Sequence, residues 1–394
     1  MKDSEKPYSL AFALTFMILF FILASSTALA ASSTITEARV ITESTHGIYN
    51  LAVYGERVMW TDFLNDFSSQ CIYVYDLSTS QEKRITINQA ESHPSIYGDR
   101  IVRADAHRAG WNIYMYNLST SQETHITAIT TRQNPVIYGD RIVYLDENLL
   151  GIIYDVFCGD GIAYADVNLR GAIYDFFAGN FLLGAIHEVI ACQFFDSNAP
   201  FLGYSNVNSD IYLYNLSTSK ETQITTDNSI KGKIAIYGNW IVWVHSPHGY
   251  EKGDLYMYDL STNKETRITT SGSAGDPAIY GDKIVWEDDR KVDLNGQVFP
   301  NIYMYDLSTH NETRITSSGG ARSPAIYGDR IVWVDSRNGN NDIYLYNLST
   351  SVETQVTTDV SDQFNPAIYG DTIVWVDNLY EKQSIYMCTL SSKS

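Results

Sequence analysis

The sequence predicts an all-β fold, a β-propeller of four-stranded antiparallel blades, on three observations. A Tyr-Gly pair followed by a short apolar strand recurs, with its glycines at Gly55, Gly98, Gly139, Gly238, Gly281, Gly328 and Gly370. Their spacings are 43, 41, 99, 43, 47 and 42 residues, which apart from the 99 is the length of one propeller blade. The segments between them are rich in Val, Ile, Thr, Tyr and Trp with alternating polarity and show no helical periodicity.

Within one unit the strands follow in a fixed order. Strand a ends in Pro-Ala-Ile-Tyr, as at Pro366 to Tyr369, and a Gly-Asp pair then reads as a tight hairpin turn because glycine accepts positive φ. Strand b is Thr-Ile-Val-Trp, ending at Trp375 in that copy. A loop of varying length leads to strand c, Ile343-Tyr344-Leu345-Tyr346, whose alternation gives it two unlike faces. The turn Asn347-Leu348-Ser349-Thr350 precedes strand d, Glu353 to Thr357.

The last copy stops after strand c, while residues 38–42 stand before Gly55 as 353–357 stand before Gly370. This N-terminal segment is therefore expected to complete the final blade as its outer strand, which leaves no open edge. Seven anchors plus one degraded unit in the 99-residue interval give eight blades, with seven as the alternative. The irregular stretch, about 147–210, repeats itself at half a blade: Gly139 to Tyr144 is echoed by Gly159 to Tyr164, and Leu149 to Phe157 by Leu169 to Phe177. It reads as duplicated hairpins in place of normal strands.

Residues 1–30 read as a secretory signal peptide: Lys2 and Lys6 precede an apolar run from Leu10 to Ala24, and Ala28-Leu29-Ala30 supplies a small-x-small cleavage pattern. The alternative is an uncleaved N-terminal anchor, for which the run is short. No second apolar segment of spanning length follows, so residues 31–394 are expected to be a single exported propeller domain at the cell surface or outside the cell. The 394 residues carry 46 acidic and 27 basic side chains, a formal charge of −19. A nucleic-acid partner is excluded on that balance, since phosphate binding needs a basic face. Export permits disulfides, and of four cysteines Cys158 and Cys192 fall together in the irregular stretch, while Cys71 and Cys388 lie in strands; all three connectivities stay open.

The Ile-Tyr-x-Tyr-Asp/Asn-Leu strand, the Glu-Thr-x-Ile-Thr strand and the Ile-Tyr-Gly-Asp-x-Ile-Val-Trp hairpin together resemble the TolB-like propeller repeats of archaeal cell-surface and surface-layer proteins, over roughly residues 37–391. The resemblance implies an exported propeller at the cell envelope and carries no catalytic residues with it.

In blades of this order the b-to-c and d-to-a loops share one face, and it is the variable one, so ligand recognition is expected there. An acid follows strand b in most copies, at Asp62, Asp105, Asp146, Asp288, Asp335 and Asp377, with His245 breaking the series. These are binding-face candidates, against the plainer reading that Asp ends a strand by bonding its own turn. Two oxygen-rich runs offer ligands for Ca²⁺, through Asp288 and Asp293 and through Asp335, Asn338 and Asp342, without completing a calcium-loop motif. His245 and His248 have metal-compatible spacing but share one loop.

No Gly-x-Ser-x-Gly elbow occurs, and His187-Glu188 lacks the second histidine of a zinc-protease helix. Four glycosylation triplets start at Asn117, Asn215, Asn311 and Asn347; three of these asparagines stand where sister repeats carry Asp76, Asp259 and Asp306, a position that wants a side-chain acceptor. The tryptophans Trp60, Trp243, Trp286, Trp333 and Trp375 are expected to fill the space between blades. The sequence thus points to a non-catalytic envelope module that binds a protein or glycan, with an enzyme acting on polysaccharide or peptide from the variable-loop face as the alternative.

Overall fold

The structure, a computed structural model, describes residues 34–391 other than 37, 45–46, 64–69, 87–90, 108–109, 128–131, 149, 159–160, 169–207, 228, 247–251, 291–295 and 380–381. The signal-peptide segment lies outside the described residues. Within them every regular element is a strand, and the strands form a seven-bladed propeller.

Blade 6 shows the plan. Its strands a to d, Ala321–Tyr327, Arg330–Asp335, Asp342–Asn347 and Val352–Gln355, pair antiparallel in that order from the channel outward. Tyr327 pairs with Arg330 across Gly328-Asp329, and Gly328 has φ +58, so the hairpin has the glycine-first geometry that suits the right-handed strand twist. At the c-to-d turn the Asn347 side-chain oxygen accepts from the backbone N–H groups of Ser349 and Thr350 at 3.0 and 3.1 Å. The same turn is built on Asp76, Asn117, Asn215, Asp259 and Asp306, so the position uses an acceptor whichever residue supplies it. Asn311, the remaining triplet, opens strand d of blade 5, Asn311–Arg314, at an exposed site.

The Ile-Thr ending of strand d also has a structural reason. Thr86, Thr127, Thr225, Thr269, Thr316 and Thr357 are buried, and each hydroxyl accepts the N–H of the strand c residue beside it, from Ile72 to Ile343, at 2.8–3.0 Å. That backbone donor would otherwise lie buried without a partner.

The core is divided between neighbouring blades. Trp333 packs with Ile326, Ile331 and Tyr344 against Val285, Ile302 and Met304 of blade 5. Trp60, Trp243, Trp286 and Trp375 are buried in corresponding positions, each stacked on the tyrosine beside it in strand c, with centroids 5.7–6.1 Å apart. Arginines lace the blades on the short-turn face: Arg57, Arg100, Arg141 and Arg330 each reach the Gly-Asp or Gly-Asn turn of the following blade.

The ring closes as expected. Arg39–Ser44 pairs antiparallel with Lys382–Ser391, strand c of blade 7, and so supplies that blade's outer strand.

The blade count is seven, which corrects the expectation of eight. In blade 3, strand b (Arg141–Asn148) pairs directly with strand c (Asn208–Asn215) in continuous register from Arg141↔Asn215 to Asn148↔Asn208. The 99-residue interval is therefore one blade with an insertion in its b-to-c loop. Within the repetitive stretch Leu150–Cys158 and Gly161–Asn168 form a two-stranded hairpin, which among the described residues pairs with no blade; the echo at Leu169 to Phe177 lies outside the described residues. The interval contains one Ile-Tyr-x-Tyr strand, Ile211 to Tyr214, so no degraded unit is to be added to the seven Tyr-Gly anchors.

Cys71 and Cys388 are buried free thiols, and burial pushes the Cys388 thiol up to about 12. The Cys158–Cys192 pairing falls outside the described residues.

Candidate functional site: the central channel

Strand a of every blade carries a β-bulge at the same place, visible as a register shift against strand b. The bulged residues are Asn50, His93, Asn134, Lys233, Asp276, Ser323 and Asn365, all with φ between 39° and 52°. Asn and Asp tolerate this left-handed region, whereas His, Lys and Ser occupy it at a cost. Five of the seven precede a proline, and proline inside a strand is itself a mark of a bulge. The bulged residues line a two-lobed channel at the propeller centre.

The larger lobe, about 560 Å³, is walled by blades 1 to 4 and includes Asn50, His93, Asn134 and Lys233. The smaller, about 430 Å³, adds Asp276, Ser323 and Asn365. Lys233 and Asp276 form an ion pair at 3.3 Å with both side chains substantially exposed. Desolvation, reinforced by the Lys233 ammonium, holds His93 below the usual histidine range. Among the described residues His93 makes no hydrogen bond or ion pair. The Asn134 side-chain oxygen is buried with no hydrogen-bond partner.

Four residues further along strand a, at its short-turn end, stands a second ring. Tyr54, Tyr97, Tyr138, Tyr237, Tyr280, Tyr327 and Tyr369 contact one another in blade order and close on themselves, with centroids 4.6–5.0 Å apart. Burial, together with the neighbouring phenols, raises the pKa of Tyr54, Tyr138, Tyr280 and Tyr369. The channel thus runs from a mixed polar ring to an all-phenol ring.

The acids after strand b lie off the channel. Asp105, Asp146, Asp288, Asp335 and Asp377 are buried and Asp62 is half-buried. Asp288 accepts from Trp286 Nε1 at 3.1 Å, from Ser271 and from the Arg290 guanidinium at 2.7 and 2.9 Å. Asp335 repeats this with Trp333, Ser318 and Arg337. Burial raises both carboxyls, but these hydrogen bonds outweigh it and leave both below the ordinary range. Each arginine also lies over a strand c tyrosine, Arg290 at 4.1 Å from Tyr303 and Arg337 at 4.3 Å from Tyr344, and bridges to Glu312 or Glu353. In blade 2 Arg103 stands in the tryptophan position and makes the same contacts with Asp105, Glu123 and Tyr114. Asp377 accepts from Ser361 and Gln363.

Of the other residues weighed as cation ligands, Asn338 donates to the Tyr344 hydroxyl at 2.7 Å and to Asp342 at 3.4 Å, and burial raises the Asp342 pKa. Asp293 and His248 lie outside the described residues. Among the described residues no three His, Cys, Asp or Glu side chains gather as metal ligands. His245 lies tilted against Tyr256 with centroids 4.6 Å apart, and its Nδ1 is 3.2 Å from Ser229 Oγ and 3.6 Å from Asp227. Burial lowers its pKa although Asp227 acts to raise it. The Ser229 hydroxyl donates to Asp227 and also receives the buried Lys231 ammonium, so it is not presented to the imidazole as a nucleophile would be.

Sequence reasoning reached the acid series and His245 but missed both rings. The signal for the first was the residue before proline in strand a, and for the second the tyrosine shared by all seven Tyr-Gly anchors.

No known protein family matches the chain. No curated protein matches it either. Solved structures do. The β-propeller domain of the trilobed protease from Pyrococcus furiosus is 11% identical over 90% of this chain and 94% of that one, with a TM-score of 0.57. An oligogalacturonate lyase solved in complex with manganese is 13% identical over 91% and 96%, also at 0.57. An acylaminoacyl peptidase from Pyrococcus horikoshii is 12% identical, with a TM-score of 0.56, over 84% of this chain but only 49% of that one. At these identities the likeness is one of fold.

Among the described residues no helix is long and apolar enough to cross a membrane.

Proposed function

We propose that this chain is an exported, non-catalytic propeller of the cell envelope that binds part of a protein or glycan in its central channel. The observation that carries this reading is the ring of seven bulged residues. Seven strands each hold a polar residue at left-handed φ, which for His93, Lys233 and Ser323 is unfavourable, and all seven line the two lobes of one channel. Strain repeated at a cavity wall is the signature of a pre-organised site. The acids of strand b support the same reading from the other side, because Asp288 and Asp335 serve their own blades. An envelope location is supported by the signal-like segment at residues 1–30 and by the resemblance of the repeat to surface propellers.

The test is to fill the channel with Asn134→Trp and compare both proteins on immobilised peptides and glycans, while fractionating cells to locate the chain. Binding lost on filling, with the protein in the envelope fraction, is the expected result. Binding unchanged by filling, or a cytoplasmic protein, contradicts it.

The alternative, an enzyme acting on polysaccharide or peptide, draws on His93, Lys233 and Asp276 lining one channel. Turnover of oligogalacturonate or an acylated peptide, abolished by His93→Asn, would replace the binding reading.

A further inference from the structure

We propose that the larger lobe of the channel is a receptor for a free peptide C-terminus, with the Lys233 ammonium receiving the carboxylate and the Asn134 side-chain oxygen accepting the last peptide N–H. This rests on the channel being the binding site and names what enters it.

Charge is the first argument. The chain carries 46 acids against 27 bases, yet among the described residues the lining of this lobe holds Lys233 and His93, the amides of Asn50 and Asn134, the hydroxyls of Ser95 and Ser246, and no carboxylate. Asp276, the ion-pair partner of Lys233, lines the smaller lobe, and the exposure of both side chains makes their pairing weak and exchangeable. A ligand carboxylate entering the larger lobe meets a cation whose acidic partner, Asp276, is held weakly enough to be displaced.

Hydrogen bonding is the second. The Asn134 oxygen is buried without a partner, and its strand lies between those bearing His93 and Lys233. A buried acceptor of this kind calls for a donor, which water or a ligand can bring. Next to a carboxylate, a peptide supplies that donor as its last N–H, whereas an aliphatic acid has none. The rest of the wall, including Leu51, Ile96, Val136, Ile234 and Val244, suits apolar side chains, and about 560 Å³ accommodates a short peptide end. Lys233 is exposed, at φ +39 and among the described residues bonded to Asp276 alone, so its placement has a cost that the fold does not need.

The test is calorimetric titration of the full protein at pH 7 with three probes: N-acetyl-alanyl-valyl-leucine as the free acid, the same peptide as its C-terminal amide, and hexanoate. The expected result is binding of the free acid at least tenfold tighter than the amide or hexanoate. Lys233→Gln should abolish the preference for acid over amide. Lys233→Gly, which suits the positive φ and so preserves the fold, should do the same, and Asn134→Ala should weaken the peptide acid but not hexanoate. Equal affinity for acid and amide overturns carboxylate recognition while leaving the channel reading in place. Hexanoate binding as tightly as the peptide overturns the peptide assignment in favour of a small acid, and no binding of either peptide overturns it outright. Acid binding that survives both Lys233→Gln and the channel-filling Asn134→Trp would place the ligand elsewhere and defeat both readings.

Discussion

Tyr369, at the end of the inner strand of the last blade, lies against Tyr54 of the first with ring centroids 4.7 Å apart, so the tyrosine ring is continuous across the point where the chain's two ends meet. The contact matches those inside the ring, at 4.6–5.0 Å. Seven blades therefore close without a gap, and the strand Arg39–Ser44 holds the same junction at the rim.

The insertion in blade 3 is dispensable for that closure, because strands b and c pair without it. Replacing residues 149–207 with a four-residue hairpin loop should leave a cooperatively folding protein stabilised by about 2 kcal/mol, since loop-closure entropy falls by about 0.6 kcal/mol with each halving of loop length. Circular dichroism melts check this; loss of cooperative folding would mean that the insertion belongs to the core after all.

Thr316→Val keeps shape but removes the hydroxyl that accepts the Ile302 N–H at 2.9 Å. Leaving that buried donor unpaired should destabilise the protein by about 1–3 kcal/mol, read from urea unfolding. A change near zero would show that the recurrent Ile-Thr ending is not a structural device.

The bulged ring was only partly legible beforehand. Pro94, Pro135, Pro277, Pro324 and Pro366 stood in plain sight within strand a, but whether the residue before each faces the axis depends on a left-handed φ set by the pairing of a whole blade. The seven Tyr-Gly anchors, the turn acceptor at Asn347 and the closing strand were readable because each is a local pattern. The expectation of eight blades failed because the 99-residue spacing was read as a degraded eighth unit, whereas it holds an insertion beside the single strand Ile211 to Tyr214; the seven anchors alone give the observed number. The strand b acids were found, but their engagement by Arg290 and Arg337, two residues further on, needed the fold to bring side chains over Tyr303 and Tyr344.

His93→Gly places in the bulge the one residue without a steric penalty at φ +49. It should stabilise the fold by about 0.5–1 kcal/mol, the strain relieved less the entropy that glycine adds to the unfolded chain. Chemical unfolding measures it, and a loss of stability would show that the His93 side chain supports the channel wall.

Acid should destabilise the protein through its histidines. His93 and His245 both titrate below the ordinary value of about 6.5 in the fold, so between their folded and unfolded pKa values the unfolded chain binds more protons. Their contribution is fully present above pH 6.5 and is lost as pH falls toward the folded values. Melting temperature should be level from pH 8 to 7 and decline from pH 6.5 to 5, less steeply in His93→Asn, whose side chain tolerates the same backbone. An unchanged slope in that variant would show that His93 is not desolvated.

The most direct test of the channel as the binding site is site-specific photo-crosslinking in the cells that make the protein. A benzoylphenylalanine replaces Asn365, which lines the channel, or Val360, which is 89% exposed in the preceding loop. Adducts from position 365 and not from 360 are the predicted result. Adducts from 360 alone would place the partner on the outer surface and contradict the account.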